Sequence, residues 1–193
     1  MIQKVSIFNI IWQGPFSWPG YEKYNSLKAL PDGSGVYLLT FRYNDGFLIY
    51  CAGLTNSFIN RFKQHNREYF KGNYTVLNVS YAEKGIRKEV WHGWTYAKSH
   101  RDEFTKNKLH ILKYLNKQLA NFRIFITEVD DNNRTPDRLE TAIMNTLYAQ
   151  LPPISEIPDK GMFLAKRRKN EKPIILKNGC KYTIFGLPQY LEI

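Results

Sequence analysis

The sequence predicts an α+β fold, a small mixed or antiparallel β-sheet flanked by helices, on three observations. Two runs rich in β-formers, 35–43 and 47–52, are separated by Asn44-Asp45-Gly46, a strong hairpin signal. Three stretches, near 55–70, 104–119 and 135–149, place apolar residues at helical spacing. A further β-rich run, Phe122 to Val129, falls between the second and third of these helices.

Taken in order, residues 5–12 read as a strand, closed by Gly14-Pro15 and Pro19-Gly20. In the hairpin that follows, a two-residue Asp45-Gly46 turn would set Phe41 opposite Tyr50. Tyr37, Leu39 and Phe41 would then share a face with Tyr50. A three-residue turn would put Cys51 on that face instead. After Gly53, Thr55 or Asn56 can cap a helix to about Phe70, with Phe58, Phe62 and Tyr69, and Ile59 beside them, on its buried stripe. Residues 74–81 look strand-like. The helix over 104–119 is lysine-rich and carries Leu109, Leu112, Leu115 and Leu119 at helical spacing. Thr135-Pro136 opens the third helix as cap and first-turn proline, and Pro152-Pro153 stops the chain after it. Lys166-Arg167-Arg168-Lys169 leads to a final hairpin expected around Asn178-Gly179.

The 193 residues suit one domain: an N-terminal strand and linker over 1–34, a core over 35–159 with an insertion at about 66–121, and a basic extension over 160–193. At 43% hydrophobic and 15% aromatic, the chain can bury a core. No apolar run approaches the roughly 20 residues that span a bilayer. The first residues lack a signal peptide's apolar region and cleavage site, so a cytoplasmic protein with no membrane partner is expected. Cys51 and Cys180, far apart and outside any Cys-x-x-Cys spacing, make neither a disulfide framework nor a thiolate zinc site.

Charge is distributed unevenly. The net charge is +11, with +7 over 84–123, −5 over 124–159 and +7 over 160–181. Basic segments suit a polyanion, because each neutralised phosphate releases condensed counterions. An acidic stretch between them suits a cation site inside a phosphate-binding surface.

Several chemistry-bearing residues fall at telling positions. Tyr37 and Tyr50 sit on adjacent strands, Arg61 and His65 stand one helical turn apart, and Glu140 opens the third helix beside its Leu139, Ile143 and Leu147 stripe. Each alone has an ordinary explanation: half-buried strand tyrosines, a solvated helix edge, a carboxylate complementing the macrodipole. As an ordered set they resemble the GIY-YIG nuclease family. Gly35-Val36-Tyr37 is similar to its first element, and Ile49-Tyr50-Cys51-Ala52-Gly53 to its second. Asn60-Arg61-Phe62-Lys63-Gln64-His65 resembles its helix, and Leu139-Glu140, with Pro153-Ile154-Ser155 beyond, its metal-glutamate segment. The likeness covers about half the chain in two blocks. The second element is one residue longer than the family pattern, leaving either Tyr50 or Cys51 at the tyrosine position. Ser155 stands where asparagine is common, and the gap from His65 to Glu140 implies an insertion.

The resemblance implies a Mg²⁺-dependent endonuclease, with Mn²⁺ able to substitute, that hydrolyses double-stranded DNA by a one-metal mechanism. Tyr37, Tyr50, Arg61, His65 and Glu140 would be catalytic, with Glu140 holding the metal and either Tyr37 or His65 acting as base. A standalone chain with basic additions is most similar to sequence-specific, restriction-type members, for which a homodimer would serve double-strand cleavage. The alternatives are a non-catalytic DNA-binding protein of the same fold and a mobile-element or RNA nuclease. Lys63, Arg87, Lys88, Lys98, Arg101, Arg167 and Arg168 are the expected DNA contacts. Trp91 and Trp94, interleaved with basic residues, are read as core anchors rather than base-stacking groups.

Overall fold

A computed structural model describes residues 7–129, 132–160 and 162–193. Its elements are β1 (Ile7–Phe16), α1 (Glu22–Asn25), β2 (Gly35–Tyr43), β3 (Gly46–Thr55), α2 (Phe58–Phe70), β4 (Val76–Leu77), α3 (Val79–Ala82) and β5 (Glu89–Trp91). They continue with α4 (Trp94–Ser99), α5 (Arg101–Asn121), β6 (Arg123–Thr127), α6 (Thr135–Ala149), β7 (Ile175–Cys180), β8 (Ile184–Phe185) and β9 (Tyr190–Glu192). Seven strands form one mixed sheet in the order β8-β3-β2-β6-β1-β7-β9, and β4 pairs with β5 separately. The α+β expectation holds. The strand expected over 5–12 begins at Ile7, its first two residues lying outside the described ones, and runs on to Phe16.

The central strands β2 and β6 are buried on both faces, so they read as continuous apolar runs rather than alternating ones. On one face Tyr37, Leu39, Phe41, Leu48 and Tyr50 meet Phe58, Phe62 and Tyr69 of α2 and Ile111, Leu115 and Leu119 of α5. On the other, Val36, Leu38, Ile49 and Ala52 meet Leu139, Ile143, Met144 and Leu147 of α6. Each fully buried large apolar side chain in these layers contributes about 1.5–3 kcal/mol.

Next to the turn the hairpin register differs from both expectations, and beyond a bulge it becomes the one a three-residue turn would give. The turn is Asn44-Asp45, with Asn44 in the left-handed region (φ 49), so Phe41 faces Leu48 rather than Tyr50. The pairing then shifts between Leu39 and Thr40: Thr40 faces Ile49, Leu39 faces Cys51, and Tyr50 is the extra residue of a β-bulge. The bulge cancels the alternation at that point, and both Tyr50 and Cys51 reach the α2 face.

Five further details correct the sequence reading. The cap of α2 is Ser57, whose hydroxyl accepts from Asn60 N, one residue beyond the expected Asn56. Residues 74–81 yield only the two-residue β4 before turning into α3, because Asn78 caps that helix from its side chain. Leu109 of α5 is exposed, and Phe104 and Ile111 join Leu115 and Leu119 on the buried stripe. Thr135 is the first residue of α6 rather than its cap; Arg134, in the left-handed region, stands before it. Asn178-Gly179 is not a turn: β7 runs straight through it, parallel to β1, and its antiparallel partner is β9. The asparagine is used sideways, taking the Trp12 indole N–H at 2.9 Å.

One feature of this topology positions the chemistry. β8 reaches β3 only at Phe47 and Leu48, so the far half of β3, Tyr50 to Thr55, forms an outer edge of the sheet. There α2 from one face and α6 from the other come close around the same strand, and Met144 Sδ accepts from Ala52 N at 3.2 Å.

Candidate active site

Tyr37 lies in the middle of this edge region, opposite Gly53. Its ring crosses that glycine so closely that a Cβ on residue 53 would collide with the phenol oxygen and ring carbons. Gly35, at φ 141, has a Cβ position blocked by the Thr127 carbonyl. Both glycines of the motif are thus demanded by close approach.

From α2, Arg61 and His65 reach the same phenol. Arg61 Nε–H donates to Tyr37 Oη at 3.4 Å, and Tyr37 Oη lies 2.6 Å from His65 Nε2. The direction of that 2.6 Å bond is set by the imidazole tautomer: with the proton on Nδ1, Nε2 accepts from the phenol. Burial, with the Arg61 charge next, holds His65 down at about 3, so the ring is uncharged at neutral pH. Burial also pushes the Tyr37 phenol well up, Cys51 and Glu140 adding to it and Arg61 opposing. The resting relay is therefore Arg61⁺, neutral Tyr37, neutral His65.

Glu140 comes round the sheet edge on the first turns of α6. Burial lifts its carboxyl to about 7, against the pull of Arg61, and no hydrogen bond offsets that burial. Tyr37, Tyr50, Cys51, Arg61, His65 and Glu140 line one cavity of about 70 Å³. At roughly 30 Å³ per water this holds about two waters. All five expected catalytic residues are brought together, with Tyr37, Tyr50 and His65 buried and Arg61 and Glu140 partly open. Ser155 is not in the lining.

No protein-family model, curated protein or solved structure matches this chain. The geometry has to speak alone.

Tyr50 turns away from the phenol relay toward a residue the sequence reading missed. Asp159, 4% exposed, accepts from Tyr50 Oη at 2.8 Å, from Trp94 Nε1 at 2.8 Å and from Arg87 at 2.5 Å. Its carbonyl takes the Tyr148 hydroxyl at 2.6 Å. The sequence signal was an aspartate six to seven residues past the Pro152-Pro153 stop, which is ordinary loop composition. Its burial is visible only once the 151–160 segment is seen folded over the cavity.

The expected DNA contacts divide. Arg87 is spent on Asp159, Glu89 and the Ile157 carbonyl, bracing the 151–160 segment against β5. Arg101 donates to the Lys71 carbonyl and Asn73 at the end of α2. Lys88 lies over the Tyr81 ring, and Arg167 pairs with Glu192. Lys63, Lys98 and Arg168 present exposed side chains. Trp91 is the core anchor expected, with its indole on the Gly72 carbonyl. Trp94 is not: it is 42% exposed at the rim of the cavity, against Tyr74.

Among the described residues no group of three or more His, Cys, Asp or Glu side chains could hold a metal, and no helix is long and apolar enough to cross a membrane. A single carboxylate still fits Mg²⁺, which keeps most of its waters and commonly takes one or two carboxylates plus substrate phosphate. A half-buried carboxylate without a hydrogen-bond partner is the donor such an ion would satisfy.

Proposed function

We propose that the chain is a divalent-metal-dependent endonuclease of the GIY-YIG type acting on DNA, with restriction-type double-strand cleavage as its use. The observation that carries this is the convergence of Tyr37 from β2, Arg61 and His65 from α2 and Glu140 from α6 on one cavity. These residues are distant in sequence and lie on both sides of the sheet, yet they meet where β3 runs on beyond β8. Ordinary core packing has no need of a permanent cation, a neutral imidazole and a half-buried carboxylate together.

In this reading Arg61 forks onto non-bridging phosphate oxygens, where its fixed charge opposes charge developing at phosphorus. Tyr37 takes a proton from water at the cavity mouth as its own proton moves to His65 Nε2. His65 is a weak acceptor in the resting chain, and part of the cause is Arg61. A phosphate that neutralises Arg61 removes that part and makes His65 more basic when substrate is present. Glu140 holds Mg²⁺, which when bound supplies Lewis-acid stabilisation of the leaving oxygen. Tyr50, tied to Asp159, shapes the cavity wall rather than touching phosphate.

Glu140→Ala, incubated with plasmid DNA and Mg²⁺, tests the assignment. Loss of nicking and linearisation is expected; cleavage at the unsubstituted rate would remove Glu140 as metal ligand. Parallel DNA and RNA substrates separate the deoxyribonuclease from a ribonuclease.

A further inference from the structure

The cavity is too small for a nucleotide, and a groove of about 650 Å³ lies beside it at Trp94. Trp94 and Asp159 line both spaces, and Arg87, Glu89, His92, Thr95, Glu156 and Lys160 continue the groove. Trp94 thus stands between the cavity that holds Arg61 and a space large enough for a nucleotide.

Trp94 is built for a face-on contact. Its backbone is held at φ 58, a left-handed conformation that is a real outlier for so bulky a residue. The indole N–H is fixed on Asp159 Oδ2 at 2.8 Å, and the ring rests on Tyr74 with centroids 5.1 Å apart. Asp159 is itself locked by Arg87 and Tyr50. The result is a rigid aromatic plane, 42% exposed, beside the catalytic cavity. A tryptophan serving only to fill the core would be covered, as Trp91 is at 3%. Rigid exposed aromatics stack bases without regard to sequence, because every base offers a π-face.

We propose that Trp94 is the platform on which the nucleobase next to the phosphate at Arg61 stacks, so that the site takes a nucleotide displaced from the duplex. This rests on the nuclease reading for the nature of the strand, and its test does not need cleavage. The full chain, with Ca²⁺ in place of Mg²⁺, is titrated with a thymidine octamer and with an abasic octamer of equal length and charge. The thymidine octamer is expected to bind between about fivefold and a hundredfold more tightly and to quench tryptophan fluorescence. The quench should vanish in Trp94→Phe, which keeps a stacking ring and most of the affinity. Trp94→Ala should bind both octamers at the abasic level, with its folding checked by thermal melting.

Equal affinity of the unsubstituted chain for the two octamers overturns the proposal without any variant. A quench that survives in Trp94→Phe overturns it as well. Plasmid cleavage with Mg²⁺ is scored separately. Cutting without base-dependent binding sinks the platform alone, whereas base-dependent binding without cutting supports the platform and sinks the nuclease reading.

Discussion

The Tyr37 hydroxyl lies 2.6 Å from His65 Nε2, and the two side chains are buried together between β2 and α2. Arg61 donates into the same oxygen, and with His65 in its Nδ1–H tautomer the phenol's proton points at the imidazole. The pair is testable one atom at a time. Tyr37→Phe should abolish plasmid cleavage while the fold melts within a few degrees of the unsubstituted chain. His65→Gln keeps an acceptor near the phenol and should retain more activity than His65→Ala. Equal losses in the two histidine variants, read from single-turnover rates, would remove His65 from the proton path.

Glu140 sets a pH dependence. Burial lifts its carboxyl to about 7 in the folded chain, above its ordinary value near 4.5. The folded state therefore binds the proton more tightly than the unfolded state. This contribution favours folding at low pH and is lost as pH rises from about 4.5 through about 7. Glu140→Gln, lacking the charge, should be more stable than the unsubstituted chain at pH 8 by about 1–3 kcal/mol and nearly equal at pH 4. Mg²⁺ should raise the melting temperature of the unsubstituted chain at pH 8 and leave Glu140→Gln unmoved. Cleavage at limiting Mg²⁺ should rise between pH 6 and 8, and saturating Mg²⁺ should shift that rise to lower pH.

Gly53→Ala is a single methyl placed where the Tyr37 ring already lies. Either the phenol swings out or β3 moves away, and overpacking of this kind costs about 1–3 kcal/mol. Urea denaturation should show that loss, and cleavage should fall further than stability alone explains, because the displaced phenol leaves His65 and Arg61. A Gly53→Ala chain with normal cleavage would show that the phenol's position is not needed.

Asp159 carries the brace between the 151–160 segment and the insertion. Asp159→Ala leaves Tyr50 and the Trp94 indole without their acceptor and Arg87 with only Glu89 and the Ile157 carbonyl, and breaking a buried ion pair of this kind costs up to about 3–5 kcal/mol. Asp159→Asn keeps a carbonyl oxygen for Tyr50 or Trp94 and should lose less. Chemical denaturation of the two variants checks the order.

Lys63 and Lys98 are exposed, and no salt bridge among the described residues engages them. Lys63→Ala and Lys98→Ala should each leave stability within about 0.5 kcal/mol. A lysine that meets phosphate should also lower the slope of log affinity against log salt by about one when removed. An unchanged slope would place that lysine off the DNA track. Arg87→Ala should behave oppositely, losing stability first, since its guanidinium is spent inside the protein.

What could be read in the chain itself follows the range of the forces involved. The helices over 55–70, 104–119 and 135–149 announce themselves because an apolar stripe repeats every three to four residues, and α2, α5 and α6 lie there. The hairpin was legible from its β-rich arms and Asn44-Asp45-Gly46. Tyr37, Arg61, His65 and Glu140 were legible because the site draws on ordered local patterns, each confined to one strand or one helix. The failures were equally physical. Asn178-Gly179 has turn composition, but a parallel partner in β1 and an antiparallel one in β9 hold it extended. Leu109 has the right spacing and no neighbour to cover it.

The sequence by itself indicated the first hairpin, the three long helices, the strand before the last of them, and the phenol, guanidinium, imidazole and carboxylate that come to line one cavity. Those properties depend on periodicity and on the shape of single residues. Only the tertiary structure decided that β3 bulges at Tyr50, that Asp159 is buried under three donors, that Arg87 is a brace and that Trp94 is left uncovered. Each of these turns on which distant segment excludes water from a given side chain, and burial is a property of the assembled layers rather than of any stretch of chain.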